Sequence, residues 1–349
     1  MLINDQCNWD EEINLRFLQR WISRAGSRPL DPCLIPSTFS GPLSTLNIPR
    51  YSKQISKLLP MLLSYSSQWR SLDITLYPST PFTSDTYTRL VSLVKLTATM
   101  LLPQVPFIMT TFRDAPALRE VSLASLGPLQ SILLPWIQLT HLNLAKISVP
   151  KSLEILKQTP NLEVLDIFPQ PSASPSCELT IAHLHTFTFR GCHYTLLDRL
   201  TLPSLRTLQL YGLRSDGVPR LLEMGIRSSW SPRAISLDTM GQETSTLCLR
   251  NSKKEHFSLL IELLSSDDQF LPALCEITIK SPTEISLPAV ADMLVSRWRG
   301  HREGVAKLKS FHLAFSHSTE ITASAFHELT SRVRLLLDQG LDIQVTLIK

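Results

Sequence analysis

The sequence predicts an α/β fold in which a short strand-forming phrase recurs along the chain and helices or loops connect its copies. The phrase has one apolar residue, two variable residues, an apolar residue, one variable residue and a final apolar residue. Its copies begin at Leu118, Leu139, Leu162, Leu184 and Leu205, so their first residues lie 21, 23, 22 and 21 positions apart. A nearly constant period of this size is typical of proteins built from stacked repeats.

The last two apolar residues of each phrase are two positions apart, which places them on the same side of a strand. Parallel stacking of successive copies would bury that side in a continuous core. We therefore predict an irregular leucine-rich-repeat solenoid (a horseshoe), with a curved parallel sheet on its concave face and helices or loops on its convex face. We expect a single domain over 1–349, with a helical cap at 13–25, repeats over about 30–320 and a C-terminal cap at 323–349.

The N-terminal part is predicted to begin with a helix over 13–25, because its apolar residues recur at helical spacing. Gly26 is a plausible C-terminal cap for this helix. A second amphipathic helix fits 52–66. Copies of the strand phrase beginning at Trp69 and at Val91 extend the repeats towards the N-terminus.

After Leu213 the rhythm of the repeats loosens. The pairs Ile235–Leu237 and Leu247–Leu249 look like strand segments with imperfect first positions. Clean copies of the phrase return at Leu274 and Leu308. We therefore expect the sheet to continue to about residue 320 with longer connections between its strands.

Helices are predicted over 257–264, 287–299 and 323–337, where apolar residues again fall on one face. A final strand over 341–348 would complete the C-terminal cap. The segment 169–177 is rich in proline and serine and is predicted to be an exposed, mobile loop between two repeats.

Composition limits the classes of function. Of the 349 residues, 43% are hydrophobic and 18% are charged, which indicates a folded chain. The net charge of +4 gives no strongly basic stripe for nucleic acid, and no apolar run approaches the roughly 18 residues of a membrane span. The acidic N-terminus is unlike a signal peptide, so we expect a cytoplasmic or nuclear protein with no nucleic-acid or membrane partner.

The six cysteines form no CxxC pair, so we expect reduced and mostly buried thiols. The chain contains no GxGxxG, Walker-type, GxSxG, HExxH or EF-hand pattern. We therefore predict a protein that is not an enzyme and has no catalytic residue, no cofactor and no metal.

One cluster offers a different interpretation, in which a hydrolase or metal site lies near His183–His193. Its members are Cys177, His183, His185, Cys192 and His193. A zinc site would need about four such ligands converging at roughly 2.0–2.3 Å. The alternative is that His185 occupies a variable strand position that faces solvent, and that Cys192 is an ordinary buried residue after its strand.

A second group is basic and consists of Arg297, Arg299, His301, Arg302, Lys307 and Lys309. It could contact phosphate or an acidic partner, or it could be the solvated end of a helix with Trp298 in the core.

The variable residues of the phrase are predicted to point away from the core, onto the concave face. Across the five best copies they are Arg119, Glu120 and Ser122; Thr140, His141 and Asn143; Glu163, Val164 and Asp166; His185, Thr186 and Thr188; and Arg206, Thr207 and Gln209. Neighbouring strands would bring these side chains to about 5 Å from one another. The result is either a binding strip with an acidic centre at Glu163 and Asp166, or simply the polar surface that any exposed sheet requires.

As binding residues we select nine of these positions, which carry charge or strong hydrogen-bonding groups. They are Arg119, Glu120, His141, Asn143, Glu163, Asp166, His185, Arg206 and Gln209. The expected ligand is a protein partner on the concave face.

Three passages carry a resemblance to a known family. They are LQRWISRAGSRPL at 18–30, SSQWRSLDI at 66–74 and RLVSL at 89–93. Over most of 13–320 the chain resembles the leucine-rich-repeat region of the large F-box protein families of mushroom-forming fungi. In that family the F-box docks on the adaptor of a cullin-type ubiquitin ligase, and the repeats present a substrate.

The resemblance implies a non-catalytic substrate-recognition module and carries over no catalytic residue. Only 12 residues precede the first predicted helix, and no F-box is recognisable among them. We therefore expect the ubiquitin-ligase adaptor to be a partner only if an F-box is present upstream. The alternatives are a repeat scaffold unrelated to ubiquitylation, or a truncated paralogue without function.

Overall fold

The structure is a computed structural model that describes most of the chain. The described residues are 11–34, 59–76, 90–100, 106–127, 130–172, 177–191, 193–212, 217–230, 232–238, 261–262, 264–265, 273–280, 286–299, 306–316 and 323–348. The chain divides into two compact units, Met1–Leu162 and Glu163–Lys349. One continuous domain over 1–349 stays a prediction.

The first unit is built mainly from short parallel strands. Its elements are helix α1 (Glu11–Ala25), strands β1 (Cys33–Leu34), β2 (Ser71–Leu76), β3 (Lys95–Met100), β4 (Phe107–Met109), β5 (Glu120–Ala124), β6 (Gln130–Ile132) and β7 (His141–Ser148), and helix α2 (Val149–Leu156). Strands β1, β2, β3, β5 and β7 pair in that order, all parallel. Strands β4 and β6 form a separate parallel pair.

The core of this sheet is made by the apolar positions of the repeated phrase. Trp69, Leu118 and Leu139 occupy first positions and are completely buried, and in β2 the following residues Leu72 and Ile74 are buried as well. Because side chains alternate along a strand, the residues between them lie on the opposite face. The strand phrases predicted at these three first positions are confirmed.

The predicted copy beginning at Val91 is wrong by two residues. Leu93 is completely buried and Val91 is 51% exposed. Strand β3 then starts at Lys95 and buries Leu96 and Ala98. Residues 91 and 93 are both apolar, so the one that takes the first position of the repeat is the one that the neighbouring strands can cover.

The second unit continues the same plan with longer connections. Its elements are strands β8 (Val164–Gln170), β9 (Leu179–Thr180), β10 (Thr186–Arg190), β11 (Leu200–Thr201) and β12 (Thr207–Tyr211), helix α3 (Gly217–Ser228), strands β13 (Ala234–Asp238) and β14 (Glu276–Lys280), helix α4 (Leu287–Arg299), strand β15 (Ser310–Ser316), helix α5 (Ala323–Asp338) and strand β16 (Asp342–Ile348). Strands β8, β10, β12, β13, β14, β15 and β16 pair in that order, all parallel. Strands β9 and β11 form a small parallel pair.

The backbone of the second unit repeats the same hydrogen-bond pattern at the start of successive strands. The carbonyl of His185 accepts the N–H groups of both Arg206 and Thr207, each at 2.9 Å. The carbonyl of Arg206 accepts those of Arg233 and Ala234, at 2.8 and 3.1 Å. This arrangement fixes the residue before each strand directly beside its counterpart in the next repeat.

Most predicted helices are confirmed. Helix α1 begins two residues before the predicted start and ends at Ala25, and the φ of +59° at the following Gly26 suits a glycine cap. Helix α4 has the predicted bounds, and α5 extends one residue beyond its predicted end. Of the helix predicted at 52–66, residues 59–63 are helical, 64–65 form a turn and Ser66 begins a short 3-10 helix. Residues 52–58 lie outside the described ranges.

Other predictions meet the structure only in part. The strand phrases at Ile235, Leu274 and Leu308 are confirmed. The loop predicted at 169–177 is wrong for its first two residues, because strand β8 extends through Gln170 and buries residue 169. The pair at 247 and 249 lies outside the described residues, as does much of the helix predicted at 257–264.

The described residues therefore form an α/β architecture dominated by parallel strands. Among them no helix is both long and apolar enough to cross a membrane. Cys33, Cys177 and Cys275 are free thiols. This agrees with the predicted reduced thiols, although the three side chains are half-buried rather than fully buried.

Candidate binding surface

The second unit carries a polar face on the side of its sheet opposite the core. The parallel register aligns the outward residues into rows that run across the strands. The middle row consists of Asp166, Thr188, Gln209, Ser236, Thr278, His312 and Gln344. The leading row is formed by the residue immediately before each of the strands β8, β10, β12, β13, β14 and β15. It consists of Glu163, His185, Arg206, Arg233, Cys275 and Lys309.

A charged and aromatic cluster lies at one end of the middle row. Arg190 donates from Nε to Oδ1 of Asp166 at 2.9 Å and from Nη2 to Oδ2 at 3.0 Å. Its guanidinium also lies 4.5 Å from the ring centre of Tyr211. The predicted acidic centre therefore has one of its two carboxylates neutralised, because Asp166 is paired with Arg190.

Two other predicted residues join across the next pair of strands. Thr188 Oγ1 donates to Gln209 Oε1 at 3.1 Å. Thr188 is only 6% exposed, although it was predicted to face solvent. The amide of Gln209 and the flanking strands cover it, so this part of the polar face is an internal contact.

The leading row lies just before the strands and is more accessible than the middle row. Glu163, Arg206, Arg233 and Lys309 are exposed, and His185 is half-buried. Of these, Glu163, His185 and Arg206 were predicted as binding residues. Among the described residues, neither Arg206 nor Arg233 has a side-chain hydrogen bond or ion pair.

The first unit places its predicted residues on the corresponding face of its own sheet. Lys95 Nζ lies 3.3 Å from Glu120 Oε2 on the adjacent strand. His141 Nδ1 shares a 2.9 Å hydrogen bond with Thr140 Oγ1, and Asn143 is half-buried beside Ser122. These contacts are local, between a residue and its chain neighbour or the next strand.

Arg119, which was predicted to be a binding residue, forms hydrogen bonds with nearby backbone carbonyls. Its Nη1 donates to the carbonyls of Pro116 and Leu118, at 3.0 and 2.9 Å. The Leu118 carbonyl also accepts from Gln138 Nε2 at 2.9 Å. The guanidinium of Arg119 is therefore directed to its own backbone.

Two aspartates near β1 and β2 have opposite electrostatic environments. Arg70 Nη2 donates to Asp31 Oδ2 at 2.8 Å, and this hydrogen bond is the main cause of a lowered pKa for Asp31, assisted by hydrogen bonds from Ser71. Partial burial raises the pKa of Asp73. Burial, and then the charge of Asp73, also raises the pKa of the Cys33 thiol, so this thiol is not activated as a nucleophile.

The proposed metal or hydrolase cluster does not assemble among the described residues. His183 is exposed and His185 is half-buried, and no three His, Cys, Asp or Glu side chains within the described ranges could hold a metal ion together. Cys192 lies outside those ranges.

The basic group predicted at the end of α4 separates into different roles. Arg297 is 4% exposed and donates from Nε to the Leu264 carbonyl at 2.7 Å, so it has a structural role. Trp298 is buried as predicted, and its Nε1 donates to Gln339 Oε1 at 2.6 Å. Lys307 Nζ lies 3.6 Å from the centre of the Trp298 rings. The side chains of residues 299, 301 and 302 lie outside the described set.

An open groove of about 680 Å³ lies within the first unit. Its lining residues are Leu134, Pro135, Trp136, Ile137, Gln138, Lys157, Gln158 and Pro160. Since this lining contains no carboxylate, imidazole, thiol or hydroxyl group, the groove has no pair of groups suited to acid–base chemistry.

The sequence analysis did not predict three residues that the structure places near the predicted binding residues. Arg190 and Tyr211 follow the end of the phrase, but continuing the period of two along β10 and β12 would have placed them on the outer face. Arg233 was missed because Pro232 replaces the leucine at the first position of its repeat. Residue 232 is nevertheless buried there, as a leucine would be.

No protein-family model matches the chain. A search of curated proteins likewise found no significant match.

Proposed function

We propose that the chain is a non-catalytic, protein-binding repeat module of the leucine-rich-repeat type. The observation that carries the proposal is the alignment of polar and charged side chains into rows across successive parallel strands. Such rows offer a partner a continuous surface held by backbone hydrogen bonds, which is how repeat proteins bind their ligands. The described part of the face offers both ion-paired and exposed polar side chains on an accessible surface, which supports a role in binding.

The cellular role that we propose is substrate recognition of the kind found in F-box ubiquitin-ligase receptors. Support comes from the resemblance of the passages at 18–30 and 66–74, and the second of these contains the buried Trp69 and strand β2. A cytoplasmic or nuclear location goes with this role.

Site-specific photo-crosslinking tests the binding function. A photoreactive amino acid is placed at Thr207, on the polar face, and at Ile226, which is 80% exposed on helix α3. We expect a protein of discrete mass to crosslink from position 207 and not from position 226 in an extract of the source cells. Equal crosslinking from both positions, or none from position 207, contradicts the proposal.

The ubiquitylation role is tested separately by transcript sequencing upstream of Met1, combined with a pull-down of the ligase adaptor. An in-frame F-box and a bound adaptor support that role. If both are absent, the ligase role is wrong, while the protein-binding function still depends on the crosslinking result.

A further inference from the structure

The leading row of the second unit contains two arginines side by side. Arg206 and Arg233 immediately precede β12 and β13, and the N–H of Arg233 donates to the carbonyl of Arg206 at 2.8 Å. Because neighbouring strands lie about 4.8 Å apart, the two side chains start from adjacent backbone positions. Both are exposed.

Like charges at directly opposed positions of a sheet are unfavourable. No carboxylate of the described residues pairs with either guanidinium to relieve this repulsion. Glu276 is aligned with Ala234 on the next strand, one position beyond Arg233, and forms no ion pair with it. The flanking members of the row are His185 and Cys275, neither of which is a carboxylate.

The same sheet shows what an arginine at its surface does when a carboxylate is available. Arg190 binds both oxygens of Asp166 through two nitrogens, at 2.9 and 3.0 Å. This geometry is the bidentate pairing in which a guanidinium matches a carboxylate. Arg206 and Arg233 have the same donor groups, but no carboxylate within the described ranges accepts from them.

We propose that Arg206 and Arg233 form a docking point for an acidic protein segment, whose Asp or Glu carboxylates each pair with one guanidinium. This inference rests on the proposed binding function and specifies the chemistry of the partner. An extended segment places side chains on one face about 6.6–6.8 Å apart. This spacing is larger than the separation of about 4.8 Å between neighbouring strands, and the long, flexible arginine side chains can span the difference. Lys309, also exposed in the leading row, adds a further positive charge along the same direction.

The test uses the full chain and a fluorescent peptide of alternating glutamate and serine, with binding followed by fluorescence anisotropy. We expect the peptide to bind, and the variant Arg206→Glu/Arg233→Glu to bind at least about tenfold more weakly. A peptide with glutamine in place of glutamate should not bind. Affinity should fall as the salt concentration rises above ~0.15 M, because exposed ion pairs are screened.

The matched control is Arg113→Glu/Arg334→Glu, which makes the same change in charge at two exposed arginines outside the polar face. This control should leave binding unchanged, and thermal melting of each variant checks that it is folded. The milder Arg206→Gln/Arg233→Gln variant should also lose affinity, which provides the test if the glutamate variant does not fold.

Three results overturn the inference: no binding of the acidic peptide, equal weakening by the control variant, or equally tight binding of an oligonucleotide through the same arginines. The last would show a general polyanion site rather than a protein-docking point. If the partner crosslinked from position 207 is unaffected by the arginine variants, the acidic-segment inference fails while the proposed binding function stands.

Discussion

Arg190 on strand β10 and Asp166 on strand β8 form a bidentate ion pair across the polar face of the second unit, with N–O distances of 2.9 and 3.0 Å. The same guanidinium lies over the ring of Tyr211 on β12, 4.5 Å from the ring centre. The Arg190 side chain therefore contacts residues of both strands that neighbour its own strand in the sheet, β8 and β12. The pair neutralises the charge of Asp166, whereas Arg206 and Arg233 in the leading row have no carboxylate partner in the part of the chain that the structure describes.

The substitution Asp166→Asn should lower the free energy of unfolding by about 0.5–1 kcal/mol, since the aspartate side chain is 23% exposed and the arginine 47% exposed. Urea denaturation measures the change. The control is Asp292→Asn, which removes an ion pair to Arg332 from an aspartate that is 69% exposed. The control should cost less, and an equal loss in both variants would show that the extra burial and the bidentate geometry add nothing.

The register of β3 leads to a second prediction. Leu93→Ala should destabilise the first unit by about 2–5 kcal/mol, because it removes a completely buried side chain. Val91→Ala should change stability by no more than about 0.5 kcal/mol, because Val91 is 51% exposed. Thermal or urea unfolding of both variants measures the two changes in stability. A larger loss of stability for Val91→Ala than for Leu93→Ala would place the first position of this repeat at 91.

The register of β3 also shows which features of the fold could be predicted from the sequence and which could not. Periodicity located the strands because leucines at every second position give a strand one buried face, as Leu208 and Leu210 do. It could not choose between Val91 and Leu93, since both are apolar and only packing against neighbouring strands distinguishes them. Local patterns are strong where one residue type recurs and weak where the first position changes, as at Pro232.

The polar face was predictable as a face but not as a set of contacts. The alternation that buries the leucines necessarily turns Asp166 and Gln209 outward, and this much follows from the phrase. Which outward residues pair with one another depends on the order of the strands and on side-chain length. For that reason the partner of Asp166 lies 24 residues later in the sequence, at Arg190.

A third prediction concerns pH and the pair formed by Asp31 and Arg70. The pKa of Asp31 is lower in the folded protein than in the unfolded chain, chiefly because of the hydrogen bond from Arg70. The associated stability is therefore present above the ordinary aspartate value of about 3.9 and is lost as the pH falls through the lower folded pKa. Asp31→Asn should be less stable than the wild type at neutral pH, by less than about 1 kcal/mol because the pair is exposed, and this difference should disappear in acid.

Asp73→Asn is the matched comparison and should have the opposite sign. Burial raises the pKa of Asp73, so the cost of ionising it in the folded protein sets in as the pH rises above the ordinary aspartate value of about 3.9 and is complete above the raised folded pKa. The asparagine variant should be more stable than the wild type at neutral pH, with the gain vanishing below a pH of about 4. Urea unfolding over a pH series measures both variants, and parallel curves for the two would contradict the assigned environments.

The last prediction concerns Gly225 in helix α3. In an exposed helix interior, Gly→Ala usually stabilises by about 0.5–1 kcal/mol, because alanine loses less backbone freedom on folding. Here a Cβ at residue 225 would lie 2.9 Å from Cδ1 of Trp230 and closer still to the indole nitrogen. Since Trp230 is only 8% exposed, its ring has little room to move.

We therefore expect Gly225→Ala to destabilise the second unit by about 1–3 kcal/mol, with the steric clash exceeding the gain in helix propensity. The decisive measurement is a double-mutant cycle with Trp230→Ala. In the Trp230→Ala background the same glycine substitution should be neutral or stabilising, because the ring is no longer there to clash. If Gly225→Ala costs as much in that background as in the wild type, then the close approach of Trp230 is not the reason for glycine at this position.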